Sequence, residues 1–264
     1  MENIKELRDK TGAGIIDCKK ALEESGGDIA KAVEILRKKG IAKAAKRSER
    51  EASEGVIKIL VNENGSEAYI LEVNAETDFV ARNEKFQDFA NQAIEAIKAN
   101  KPGNLDELLN LTMADSTVGE GLKNLSSVIG EKLEIRRFDI LAGETVAAYS
   151  HMGGRIGVIV AIDKKDAKDL AYDLAMQIAA ANPRYITSDE VPSEEIGKEK
   201  EVYREQLLKE GKPENMIDKI MEGKLNKYFD EICLVGQDYI KDDKKKVRDI
   251  LGDVKVTKFI RYSL

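Results

Sequence analysis

Thr77-Asp78-Phe79-Val80 sets an acid and a large ring side by side between a hydrophobic alternation (EVNA) and a polar run (RNEKF). A junction between elements normally lies at the surface, where a ring gains little from burial. The residue types allow two uses. Asp78 can cap a helix starting near 81–84, with Phe79 folded onto it as a hydrophobic staple. The alternative is a loop that presents an acid and an apolar wedge to another molecule, because exposed aromatics on a fixed loop make strong binding anchors.

Other residues with chemical potential are few. His151 is the only histidine in 264 residues. A Ser-His-Asp triad would have to use it, and a histidine-based zinc site would lack a second ring. Cys18 and Cys233 stand far apart with no metal-ligand spacing, which fits free thiols in a reducing cytosol. Carboxylates abound, but in so charged a chain a nearby pair is ordinarily solvated surface. The residues therefore lead us to expect no enzyme, no catalytic group, no resident metal and no cofactor. Gly12 and Gly14 in TGAGIID begin a dinucleotide-binding fingerprint, yet no strand precedes them and the third glycine is missing. A helix–helix turn needing positive φ explains them better. The Ile15-Ile16 pair beside that turn cannot be wholly buried, since adjacent helical residues point about 100° apart, and it hints at a contact surface. In HMGGRIGVIV, His151 sits in a Gly-rich hairpin turn where Gly153-Gly154 permits close approach of another backbone.

The elements that position these residues change character along the chain. Residues 1–53 predict three short helices: one marked by Ile4 and Leu7, a second by Ile15, Cys18 and Leu22, and a third by Ile29, Ala32, Val33 and Leu36, capped by Asp28 and closed at Gly40. AKAAKRSEREASEG then reads as a charged, partly helical linker. Its basic run lacks interleaved aromatics and is followed by glutamates, so direct nucleic-acid binding is not expected, in line with the net charge of −6. From residue 54 to 142 the pattern is strand, Asn64-Gly65 turn, strand, then a helix striped by Phe86, Phe89, Ile94 and Ile97. Shorter helices near 106–111 and 118–133 and a strand through Ile135, Phe138 and Ile140 follow. Residues 143–264 repeat strand, turn, strand, helix, which suggests an internal duplication. An insertion at 188–231 predicts two antiparallel helices with narrow apolar seams. A short helix near 244–251 and a last strand in VKVTKFIRYSL end the chain. The fold class expected is therefore α+β: a small N-terminal three-helix bundle, a duplicated core of antiparallel sheets with packed helices, and an inserted antiparallel helical hairpin. No apolar run is long enough to span a bilayer, and MENIKELRDKTG is not read as a signal peptide.

LRDKTGAGIIDCKKALEESGGDIAKAVEILRKKG, EVNAETDFVARNEKF and HMGGRIGVIVAI together resemble the elongation factor Ts family, colinearly from Leu7 to Tyr262. The resemblance implies a ubiquitin-associated-like N-terminal bundle and a cytoplasmic guanine-nucleotide exchange factor for elongation factor Tu in protein biosynthesis. It assigns Thr77, Asp78, Phe79 and Val80 to a loop pushed toward the GTPase's magnesium and phosphate site. It assigns Ile15, Ile16, His151, Gly153 and Gly154 to further contacts with that partner. It also associates the 188–231 hairpin with homodimer formation, while the residues themselves leave open whether the hairpin pairs with a second copy or packs on the body. Two other readings compete: an adaptor binding a ubiquitin-like protein or RNA through residues 1–53, and a carboxylate-based hydrolase.

Overall fold

A computed structural model describes residues 2–11, 13–46, 49–113 and 116–264. Three helices open the chain: α1 (Glu2–Thr11), α2 (Ile15–Glu24) and α3 (Ile29–Lys46). Leu7, Cys18, Ala21, Leu22 and Ala32 bury a small core of their own, with Ile4, Val33 and Leu36 packed against it. Gly40 does not end α3, contrary to expectation, and the helix runs on to Lys46. A Cβ at position 40 would stand 2.7 Å from both Cβ and Oγ of Ser127. Glycine is there so that α3 can lie close against α7 (Val118–Ile129), not to break the helix.

The body is two three-stranded antiparallel sheets of the same connectivity. The first orders β1 (Glu54–Val61), β2 (Glu67–Ala75) and β5 (Leu133–Ala142) with β2 central. The second orders β6 (Thr145–His151), β7 (Ile156–Ile162) and β10 (Val256–Ser263) with β7 central. In each, a hairpin is followed by a helix and a return strand beside the hairpin's second strand, as the repeated sequence plan predicts. Between β2 and β5 lie the one-turn helix α4 (Asp78–Ala81), α5 (Glu84–Asn100), α6 (Leu105–Asn110), the two-residue ladder of β3 (Thr112–Met113) and β4 (Ser116–Thr117), and α7. The helix expected over 118–133 stops at Ile129, where Gly130 adopts φ 90° and accepts no further turn.

Alternation along β2 explains the layering, since successive strand residues face opposite sides. Tyr69, Leu71 and Val73 join Phe86, Phe89, Ala90, Ala93, Ile94 and Ile97 of α5 in one core. Ala68 and Ile70 point the other way, onto Val146, Ile159, Ala161 and Tyr262 of the second sheet. Val158, Val160 and Ile162 then meet Leu174 and Ile178 of α8 (Lys168–Ala181). The order of layers is helix, sheet, sheet, helix. The insertion forms α9 (Ser193–Lys209) and α10 (Glu214–Ile232). After it, 242–246 is not helical: β8 (Asp238–Tyr239) and β9 (Asp242–Lys246) make a small hairpin, and only α11 (Val247–Leu251) is helix.

Candidate partner-binding surface

The Thr77–Val80 stretch is neither the expected free loop nor the start of α5. It is a separate helical turn. Thr77, extended at φ −128° and ψ 155°, caps it, its Oγ1 accepting from the Val80 amide at 3.4 Å. α5 has its own cap in Asn83, which accepts from the Lys85 amide at 3.0 Å. Asp78 thus caps neither helix. Its carboxylate meets the exposed Arg82 guanidinium one turn on, at 3.1 Å. Phe79 is 83% exposed and so cannot staple α5. Val80 and Ala81 turn inward, onto the core beneath the first sheet. The turn is anchored by one face while its ring faces water.

Two carboxylates fix this turn. The Glu131 side chain accepts from the Thr77 amide (3.1 Å) and from the Thr77 hydroxyl (2.8 Å). Glu76 accepts from the Lys132 amide at 2.5 Å, and its other oxygen meets Arg50 at 3.2 Å. Lys132 in turn donates to the Arg50 carbonyl at 2.9 Å. Sequence reading missed Glu76 and Glu131 because they lie far apart in the chain, one just after β2 and the other two residues before β5. Only the pairing of Ala75 with Leu133 brings them together.

The other candidates occupy two further places. Ile15 and Ile16 begin α2, and both are exposed, at 58% and 71%. One of the pair is expected outside, so the second adds to the apolar surface. Gly14 beside them has φ −63°, not the positive φ expected there, and Gly12 lies outside the described residues. At the third place, the β6–β7 turn, His151 stacks on Tyr149 and its Nδ1 lies 3.1 Å from the Tyr149 hydroxyl. Met152, not singled out in the sequence, is 66% exposed at φ 51°. Gly153 is exposed with φ 67°. Gly154 is buried: its carbonyl accepts from the Ile57 amide at 2.7 Å, and a Cβ there would meet Val56 at 2.8 Å. The backbone that this glycine admits is β1 of the same chain. Ile240 is exposed in the β8–β9 turn, where Lys241 and the Tyr239 hydroxyl both donate to Asp173. Burial pushes the Tyr239 phenol up to about 12, and Asp173 adds to it. Burial acts to raise the Asp173 carboxyl, but its two donors outweigh that and hold it below the usual range.

Among the described residues no group of three His, Cys, Asp or Glu side chains is arranged to hold a metal. No helix among them is long and apolar enough to cross a membrane. What the exposed groups share is contact chemistry: an aromatic wedge, paired isoleucines and a Met-His tip, each fixed on regular structure.

The family model for Elongation factor TS matches residues 76–264. The curated Elongation factor Ts of Chlorobaculum tepidum is 48% identical over 280 aligned residues, covering 100% of this chain and 97% of that protein. That of Chlorobaculum parvum is 45% identical with the same coverage. With the family signature running from the braced turn through the second sheet, and with relatives alike over the full length, the chain belongs to the elongation factor Ts family of translation elongation factors.

Proposed function

We propose that the chain is a guanine-nucleotide exchange factor that binds elongation factor Tu in its GDP form and promotes release of GDP during elongation in the cytoplasm. The observation that carries this is Phe79, exposed on a capped and braced helical turn. A GTPase holds GDP through backbone amides, a lysine and Mg²⁺. Mg²⁺ requires nearly ideal octahedral geometry, so a small displacement of its supports weakens it sharply. Phe79 pressed between elements of the GTPase would displace such supports. Asp78 is held only by an exposed ion pair with Arg82, and such pairs contribute little, so its carboxylate can turn to a donor on the partner. Both actions lower nucleotide affinity. Coupling is reciprocal: if this protein weakens GDP binding, GDP weakens this protein's binding by the same factor. The factor therefore speeds exchange, and the relative nucleotide concentrations set its direction.

Thr77 and Val80 hold the wedge, while Ile15, Ile16, His151 and Gly153 offer further contacts, with Gly154 shaping the turn beneath. We assign residues 1–53 to a ubiquitin-associated-like unit with its linker, 54–142 and 143–264 to the two halves of the core, and about 188–231 to the inserted hairpin. The hairpin leaves Val202, Leu208 and Met216 about half exposed, which suits it to pairing with a second copy. Light scattering on the free protein reads that state directly. The decisive experiment for exchange is release of labelled GDP from elongation factor Tu with and without this protein. Acceleration is expected, and none by the wild type would overturn the reading.

A further inference from the structure

The side-chain brace behind Phe79 carries an inference that rests on the exchange reading and deepens it. β2 and β5 are paired as far as Ala75 and Leu133, and beyond that point the two strands diverge. Each then reaches across the gap with a carboxylate, Glu76 to the Lys132 amide and Glu131 to the Thr77 amide and hydroxyl. Hydrogen bonds to an ionised acceptor are shorter and stronger than neutral ones. Thr77 Oγ1 donates to Glu131 and accepts from the Val80 amide, so the cap of α4 is itself held in place. Glu131 in turn is fixed by α7, where the Ser126 hydroxyl donates to the Glu131 carbonyl at 2.6 Å. A contact that must wedge open another protein works against resistance, and a turn of four residues has no rigidity of its own.

We infer that Glu131 is a positioning residue for nucleotide exchange, holding the Phe79 turn rigid against the partner by clamping Thr77 to the end of α7. Removing the clamp leaves Phe79, Ile15, Ile16 and His151 in place, so binding should persist while the wedge yields. The test compares wild type with Glu131→Ala, Thr77→Val, their combination, and Thr77→Ser, using fluorescent GDP bound to elongation factor Tu. Thr77→Val replaces the hydroxyl at constant volume and serves where Glu131→Ala lowers the melting temperature. Expected is a maximal release rate about tenfold lower for either variant, as for loss of a hydrogen bond to a charged group. The concentration giving half-maximal rate should change little, and Thr77→Ser should retain the rate. The combination should fall by less than the sum of the two single losses, because both variants remove the hydrogen bond from the Thr77 hydroxyl to Glu131. Independently of activity, the amides of Val80, Ala81 and Arg82 should exchange hydrogen faster in Glu131→Ala. Unchanged maximal rates, additive losses, a Thr77→Ser rate as low as that of Thr77→Val, or unchanged amide exchange would each overturn the inference. Failure of wild type to release GDP would instead overturn the exchange reading, and amide exchange would still report on the clamp.

Discussion

A ring with 83% of its surface in water gains almost nothing from folding, so Phe79→Ala should change stability by less than about 0.5 kcal/mol. Its maximal rate of GDP release, by contrast, should fall by an order of magnitude or more, as for loss of a buried anchor in a protein interface. Phe86, seven positions on and fully buried under β2, provides the contrast: Phe86→Ala should cost about 3–5 kcal/mol. Thermal melts beside release assays read both. Equal destabilisation by the two substitutions would mean that Phe79 packs on its own core after all. The sequence alone could not choose between wedge and staple, because either use puts a capping residue and a ring at a strand–helix junction. Which residue caps which turn decides it. Thr77 caps α4 and Asn83 caps α5, leaving Asp78 and Phe79 without a structural duty.

Helices and strands with a regular apolar stripe were legible because the stripe itself carries the period of the element. The stripe of α5, the β-branched run of β1 and the alternation of β2 announced themselves, and so did the second hairpin and α8. Gly40 misled because a glycine after an apolar run ordinarily closes a helix. Here its missing side chain serves a contact with Ser127, far along the chain. Gly40→Ala should therefore leave α3 helical, since alanine is favoured over glycine by about 1 kcal/mol in a helix interior. The added methyl should push the N-terminal bundle off α7, and Ser127→Gly should restore the contact. Distances between spin labels on α2 and α5 check this, and an unchanged distance in Gly40→Ala would refute it. The hairpin root was equally invisible, because it gathers four residues from three segments. Arg184 donates to both Glu195 oxygens (2.8 and 2.9 Å), and the Tyr185 and Tyr228 hydroxyls donate to them as well. The Tyr228 hydrogen bond, with those of Tyr185 and Arg184, holds the Glu195 carboxyl below the usual glutamate range. A carboxyl depressed in the folded state stabilises it above its unfolded pKa, and that contribution is lost as pH falls through the folded value. Hydrogen exchange at the start of α9 should consequently quicken below the ordinary glutamate range. Glu195→Gln should show the faster exchange already at neutral pH and lose the acid dependence.

The two halves of the core repeat one plan, and sequence order disclosed the repeat; it did not disclose that the sheets lie face to face. β2 is buried on both faces from Ala68 to Ala75, which helices could achieve as well as another sheet. Gly157 shows how close the sheets come: a Cβ there would stand 2.4 Å from Ile57 and 3.3 Å from Ile70. Polar groups bind the same interface. Glu72, 1% exposed, accepts from Arg137 at 2.6 Å, and a bulge at Arg136 brings a second guanidinium to 3.9 Å. Arg137 also lies 4.0 Å over the ring of Tyr262 from the second sheet, whose hydroxyl donates to Asp139 at 2.6 Å. Burial, with Asp139, pushes that phenol far above its ordinary range, so it stays a donor at any pH the fold survives. Because each sheet supplies half of this shared layer, neither should persist without the other, and residues 54–264 should melt in one calorimetric transition whose van't Hoff and calorimetric enthalpies agree. Arg137→Ala leaves the Glu72 carboxylate buried with only the more distant Arg136. The cost should be about 3 kcal/mol, the lower end for a broken buried ion pair. The whole transition should move down together, the second sheet losing protection as early as the first although the substitution lies in β5. Two separated transitions, or protection lost from the first sheet alone, would show that the halves fold independently and that the layer between them is only a contact.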